Sequence, residues 1–282
     1  SVHCVRSYLL MRKEMNRYKY IDESRKHLHT LDGKALIGAS TAKGIIGDKG
    51  NLLQWYADNA AVSALAFPAQ DIKAEYEACK AIADKIERAK ASQELDKKYP
   101  NYAIARRAAN TSRDKSAKTG TARHSSLEDY IRMCIVENQG KPRGVLASEY
   151  SSDVLNFINW AFTNVDVFLF TEANCYHEGL WVGGIADLGL RLNNGKRFVC
   201  DHKSSKEAYP DQFLQCAIYD VLLSHSGGLD ADGNKLFDWE PADGYIVFPF
   251  RSDPFTPEYR YNVEQFRKGV EATVHLYKLF EL

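Results

Sequence analysis

The chain has 282 residues, enough to bury a sizeable core as one large domain or two small ones. Its hydrophobic fraction of 45% and aromatic fraction of 12% are those of a globular protein rather than a low-complexity chain. Lys+Arg and Asp+Glu each number 37, so net charge neither favours nor excludes a nucleic-acid partner; the local distribution decides. No apolar run approaches the roughly 18 residues of a membrane span, and no membrane partner is expected. Ser1 to Tyr20 is charged throughout, so no signal peptide is expected, and a non-Met first residue suggests a processed or trimmed start. The six cysteines are scattered without a CxxC pair, which fits reduced thiols in an intracellular protein.

Residues 1–37 are mixed and polar, with short strands predicted near Ser7–Leu10 and Leu36–Ile37 and a turn at Asp32-Gly33. Helical spacing starts near Ser40, strengthens from Asn51 through Leu52, Trp55 and Tyr56, and breaks at Pro68. A second helix is predicted over about Ala69–Leu95, ended by Pro100. Lys97 to Arg123 then shifts toward positive charge, with Arg113 and Lys118 among its basic residues; such a run is either a solvated face or a phosphate-contacting one. Lys118-Thr119-Gly120-Thr121 opens a helix over about Ala122–Asn138, and residues 140–150 read as loop or short strand. Ser151-Ser152-Asp153 caps a helix from Val154 to Phe162.

Thereafter the period changes to that of strands: Val165–Thr171, then Gly179–Leu192 interrupted by Gly183-Gly184. Asn193-Asn194-Gly195 is a hairpin turn, and Lys196–Lys203 is the returning strand. A helix over Asp211–Ser224, a loop over Gly227–Asp243, a strand over Tyr245–Phe250 and a helix over Val263–Leu279 complete the chain. This order predicts an α/β (α+β) fold, a central mixed sheet flanked by helices, with a mainly helical region over 1–114 ahead of a core over 115–282.

The hairpin carries the candidate chemistry. Asp201 and Lys203 are two apart and share one face of their strand, and the turn folds Asp187 back toward them. Two converging carboxylates repel unless a cation lies between them, and a hard divalent ion such as Mg²⁺ or Mn²⁺ meets that need. The alternative at this stage is a surface hairpin with an ordinary Asp–Lys ion pair. His124 and Glu128 are four apart on one helical face, offering a nitrogen donor and a carboxylate for a second ion or a coordinated water. Gln215 and Tyr219, also four apart, offer polar ends to a phosphate or base. The alternative is plain helix packing.

Taken in order, Gly120-Thr121 with His124, then Gly184 with Asp187, then Asp201-His202-Lys203, then Gln215 with Tyr219, resemble the RecB-like branch of the PD-(D/E)xK nuclease superfamily over roughly residues 115–250. The opening His27–Lys34 and Gly38-Ala39-Ser40-Thr41 resemble the N-terminal part of phage and mitochondrial exonucleases of that group. The resemblance implies a restriction-endonuclease-like core and an Mg²⁺- or Mn²⁺-dependent deoxyribonuclease using one or two ions. His124, Asp187, Asp201 and the main-chain carbonyl of His202 would be ligands, and Lys203 the catalytic lysine, with Glu128 assisting. Gln215 and Tyr219 would face DNA beside Arg123, Lys118 and Arg113, and Glu172 matches an acidic position ahead of the metal-binding Asp. His202 replaces a bulky apolar residue of many relatives, and its side chain is expected to point away from the metal. No cysteine follows Cys216, so no iron–sulfur cluster is expected. DNA ends or single strands are the expected substrate, with a recombination or replication protein as partner. An inactive DNA-binding or inhibitory relative, or an RNA-directed nuclease, is the alternative.

Overall fold

The computed structural model describes residues 17–23, 26–45, 60 and 73–280. The strand expected at Ser7–Leu10 and the helical stretch from Asn51 to Pro68, with Trp55 and Tyr56, lie outside the described residues. Two compact units are formed, one of residues 1–47 and 122–282, the other of residues 48–121.

In the smaller unit the single helix expected over Ala69–Leu95 is two. They are α2 (Lys73–Ala81) and α3 (Lys85–Lys98), so numbered after a short α1 in the larger unit. The break comes from Asp84, whose Oδ1 accepts from the main-chain nitrogens of Ile86 (2.9 Å) and Glu87 (2.8 Å) and caps the second helix. Lys98 and Tyr99 both bond Glu75, joining the two helices, and Tyr102 meets Tyr76 edge-on. Pro100 starts a helix instead of ending one: α4 spans Pro100–Glu137. Proline's fixed φ and missing N–H suit a first helical turn. Gly120, predicted to precede the helix, lies inside it, a cost of about 1 kcal/mol relative to alanine.

The larger unit begins with β1 (Tyr18–Glu23), β2 (Lys26–Leu31) and β3 (Lys34–Ala35), an antiparallel sheet of its own. These strands fall in the region expected to be mainly helical. Leu31 pairs with Lys34 across Asp32 (φ 50°) and Gly33 (φ 75°), the left-handed pair of a two-residue hairpin turn. Then come β4 (Ile37–Gly38) and α1 (Ala39–Lys43). The main sheet holds β5 (Val165–His177), β6 (Val182–Leu192), β7 (Arg197–Lys203), β8 (Gly228–Leu229), β9 (Lys235–Phe237), β10 (Gly244–Pro249) and β11 (Glu258–Arg260). Its order is β11-β10-β7-β6-β5-β8-β9, with β4 beside β6. β7 and β10 run parallel, whereas β5, β6 and β7 alternate in direction, so the sheet is mixed.

Helices cover both faces. On one, α5 (Ser152–Asn164) and the part of α4 after Ala122 bury Leu127, Tyr130, Phe157 and Ile158 against Phe168, Leu188, Phe198 and Phe248. On the other, α6 (Pro210–Ser226) and α7 (Val263–Phe280) bury Phe213, Ile218, Leu222, Val270 and Val274 against Val199, Tyr245 and Val247. The fold is thus α/β with a large mixed sheet between helices, as the order of elements predicted. Asp220, fully buried on α6, accepts from Trp239 Nε1, Ala242 N, Tyr245 Oη and the Arg267 guanidinium, and so fixes α6 to α7 and to the segment before β10. Removing one partner of such a pair typically costs about 3–5 kcal/mol. Ser151 stands at the N-cap of α5 without the expected side-chain bond, and Asp153 in the first turn pairs with Arg123 instead. Among the described residues no helix is long and apolar enough to cross a membrane, and the described cysteines Cys79, Cys134, Cys175, Cys200 and Cys216 are free thiols.

Candidate metal centre

β6 and β7 pair from Arg191↔Arg197 to Leu188↔Cys200 and then part. β4 takes the far end of β6 at Val182 and Gly183, while β10 holds Asp201, His202 and Lys203 from the other side. The gap between β6 and β7 leaves main-chain groups to be satisfied by side chains. Asp187 fills it: its Oδ2 accepts from the His202 main-chain nitrogen at 3.2 Å. The geometry therefore brings Asp187 to the first residues of β7 that β6 no longer pairs.

Asp201 is fully buried, and its Oδ1 accepts from Lys203 Nζ at 2.8 Å. Its Oδ2 lies 2.6 Å from the same nitrogen but without hydrogen-bond alignment. From α4, His124 Nε2 comes 3.2 Å from the His202 carbonyl oxygen and 3.8 Å from Asp187 Oδ2, and its Nδ1 lies 4.0 Å from Glu172 Oε1. Adjacent ligands of an octahedral ion with bonds of about 2.1 Å are about 3 Å apart, so the imidazole and carbonyl are spaced as neighbours on one ion.

The carboxyls of the site lie in one another's field. Burial, reinforced by Asp187, pushes the Asp201 carboxyl up, against the pull of Lys203. Burial, then Asp187 and Glu128, push Glu172 up to about 8. Burial alone would lower Lys203, but Asp201 and Asp187 outweigh it and hold the ammonium above its ordinary range. Lys203 pulls on Asp201 and Arg132 on Glu172, yet both carboxyls stay raised. Two of the carboxylates, an imidazole and a main-chain carbonyl make a donor set suited to Mg²⁺ or Mn²⁺, and a divalent ion would lift the penalty. Glu172 also carries a φ of 49°, a left-handed conformation in the middle of β5 and beside Asp187. Such strain in a non-glycine residue costs about 1–3 kcal/mol and gathers at functional sites.

Gln215 Nε2 donates to Tyr219 Oη at 2.8 Å, and both side chains are buried on α6. The amide's orientation is set from α1: Lys43 Nζ, which has no acceptor, donates to Gln215 Oε1 at 3.1 Å and pairs with Asp211 at 3.0 Å. Tyr219 titrates well above its ordinary range, from burial first and then from Asp187 and Asp201, which places it in their field. Gly184 makes that approach possible, since a Cβ there would lie 2.8 Å from the Tyr219 ring and 3.0 Å from the Ala39 Cβ. Gly183 and Gly184 therefore do not interrupt β6; they let neighbours close on it. Lys43 and its partner α1 were not singled out in the sequence. A short segment with one lysine has no periodic signal, so the sequence marks the neighbouring Gly38-Ala39-Ser40-Thr41 and not Lys43.

Other expected residues stand differently. Arg123 is nearly buried, paired with Asp153, bonded to Ser204 Oγ and stacked over Phe250, so it is engaged inside the protein and is not presented to a phosphate. Glu128 pairs with Arg132 and reaches the centre only through its field on Glu172. Arg113 and Lys118 fall within α4, and their side chains lie outside the described residues. Tyr102 packs on Tyr76. The His202 ring does lie across β7 from Asp201 and Lys203, yet a ring nitrogen still comes within 4.8 Å of ligand atoms of His124 and Asp187. Compared with models of known protein families and with curated proteins, the chain matches none.

Proposed function

We propose that this chain is a metal-dependent deoxyribonuclease with a restriction-endonuclease-like core, an exonuclease acting on DNA ends or single strands in replication, recombination or repair. The observation that supports it most is the meeting of Asp187, Asp201, Lys203 and His124 where β6 and β7 part. Asp187, Asp201, His124 and the His202 carbonyl would hold Mg²⁺ or Mn²⁺. Bound there, a divalent ion polarises a phosphoryl oxygen and lowers the pKa of a coordinated water.

The remaining work falls to side chains. Lys203, paired with Asp201, acts by charge and hydrogen bonding on the oxygens that become more negative. Asp201 holds that ammonium in place at 2.8 Å. Lys43 orients the Gln215 amide so that its NH₂ points to Tyr219, which fixes the Tyr219 ring in the field of Asp187 and Asp201.

The test is a time course on 5′- and 3′-labelled linear DNA beside a closed circle, with Mg²⁺ or Mn²⁺. Cleavage of the linear DNA from its ends is expected, reduced roughly 10²- to 10³-fold by Lys203→Ala, the scale of one lost transition-state donor. DNA binding without cleavage under either metal would point to an inactive nuclease fold, and cleavage of RNA alone to an RNA-directed enzyme. Equal cutting by Lys203→Ala would remove Lys203 from the site.

A further inference from the structure

We infer that the imidazole of His202 is itself a metal ligand, making with His124 and Asp187 a two-histidine, one-carboxylate set that favours Mn²⁺ over Mg²⁺. The inference deepens the nuclease reading, on which it rests for the cation, and adds a donor that the resemblance does not supply. Three observations carry it. A ring nitrogen of His202, a ring nitrogen of His124 and a carboxylate oxygen of Asp187 all lie within 4.8 Å of one another. An ion with bonds of about 2.1 Å spans about 4.2 Å between opposite ligands and about 3 Å between adjacent ones, so the three donors must draw together, the widest pair by roughly 0.6 Å and the adjacent pairs to about 3 Å, to share one ion.

The second observation is chemical isolation. His202 is 5% exposed, and its Nε2 is buried without a hydrogen-bond partner. A buried polar atom left unpaired costs about 1–3 kcal/mol and calls for an explanation such as an ion or a catalytic role. The ring is boxed by Phe157, Phe248 and Phe250, which offer no acceptor; its polar neighbour is His124, edge-on at 5.4 Å between centroids. The third is position. The ring stands on the α4 side of β7, the side from which His124 enters, and Asp187 reaches it where β6 and β7 part, its Oδ2 3.2 Å from the His202 main-chain nitrogen and 3.8 Å from His124 Nε2. The three donors thus converge from β6, β7 and α4, and the ring joins the ligand set proposed above. Imidazole nitrogens suit first-row transition ions, while Mg²⁺ prefers an all-oxygen shell. A second imidazole therefore tilts the centre toward Mn²⁺.

The experiment uses the intact chain with Mn²⁺ and no DNA. Pulsed electron paramagnetic resonance counts the imidazole ¹⁴N nuclei coupled to the bound ion, and calorimetric competition gives the ratio of Mn²⁺ to Mg²⁺ affinity. Wild type is expected to show two coupled imidazoles. His202→Leu, which places an apolar side chain in an aromatic box, is expected to show one, and to lose Mn²⁺ affinity relative to Mg²⁺ by at least the roughly 10- to 100-fold that an outer-shell partner is worth. A single coupled imidazole in wild type overturns the inference without recourse to any variant, as does an unchanged count in a folded His202→Leu. The nuclease reading is judged separately by DNA cleavage. Two imidazoles in a protein that cuts no DNA sustain this inference and sink that reading; one imidazole in a protein that cuts DNA does the reverse.

Discussion

At the scale of single residues, the site depends on one missing side chain as much as on those present. Gly184 lets the Tyr219 ring close on β6, and an added Cβ would meet that ring at 2.8 Å. Gly184→Ala is expected to lower stability by about 1–3 kcal/mol, the usual cost of overpacking. It should also reduce DNA cleavage while leaving Mn²⁺ affinity intact, since no proposed ligand moves. The check is a double-mutant cycle in urea with Tyr219→Leu: relief of the ring should recover about 1 kcal/mol, and strict additivity would show that the contact is not what the glycine protects. The ligands themselves were legible because strand alternation and a hairpin turn are local rules, and Asp187, Asp201 and Lys203 needed only those. Lys43 and the His202 ring were not. Their roles come from elements far apart in the chain, and a side chain's neighbours across a sheet leave no mark on its own sequence.

At the scale of elements, β5, β6, β7 and β10 are legible in the sequence, whereas β8 and β9 lie in the stretch expected as a loop, β11 carries no expected strand, and the N-terminal strands are hidden. Lys26-His27-Leu28-His29-Thr30-Leu31 looks polar, yet His29, Thr30 and Leu31 are all buried where β2 lies against Gly183 of β6. The hairpin's turn was legible from Asp32-Gly33, but burial of a histidine was not. His29 shares a hydrogen bond of 2.6 Å with the Tyr18 hydroxyl, and burial, with His27 adding, lowers it from 6.5 to about 4. Between those values the unfolded chain binds a proton that the folded one refuses, so folding stability falls as pH drops from about 6.5 to about 4 and is unaffected by this group above 6.5. The shift corresponds to about 3 kcal/mol. Comparing wild type with His29→Gln cancels the carboxylates common to both. The stability advantage of wild type over this variant should shrink by about that amount across the window, as followed by denaturant unfolding at each pH. A constant difference would place His29 in contact with solvent.

For the whole molecule, the compact units do not follow the order of the chain: residues 1–47 join 122–282, and 48–121 stand as a unit between them. Composition changes along a sequence cannot reveal such an arrangement, because it is made by long-range pairings such as β4 with β6. The larger unit also concentrates a conflict. Glu172, Asp187 and Asp201 lie in one another's field, with Lys203 beside Asp201 and Arg132 pulling on Glu172, and two of the three carboxyls are pushed upward by burial and by Asp187. Without a cation this centre detracts from stability, so metal binding and folding should be linked. Mn²⁺ at about 100 times its dissociation constant is expected to add about 2.7 kcal/mol. For a unit of this size that raises the melting temperature by about 5–10 °C. Asp187→Asn keeps an oxygen for the His202 nitrogen but removes a ligand charge and a source of repulsion. The variant should therefore melt at or above wild type when both are stripped by chelator, and below it once Mn²⁺ is restored. Calorimetric scans with and without the ion read both arms, and an equal Mn²⁺ response in the two proteins would mean that the ion binds away from Asp187.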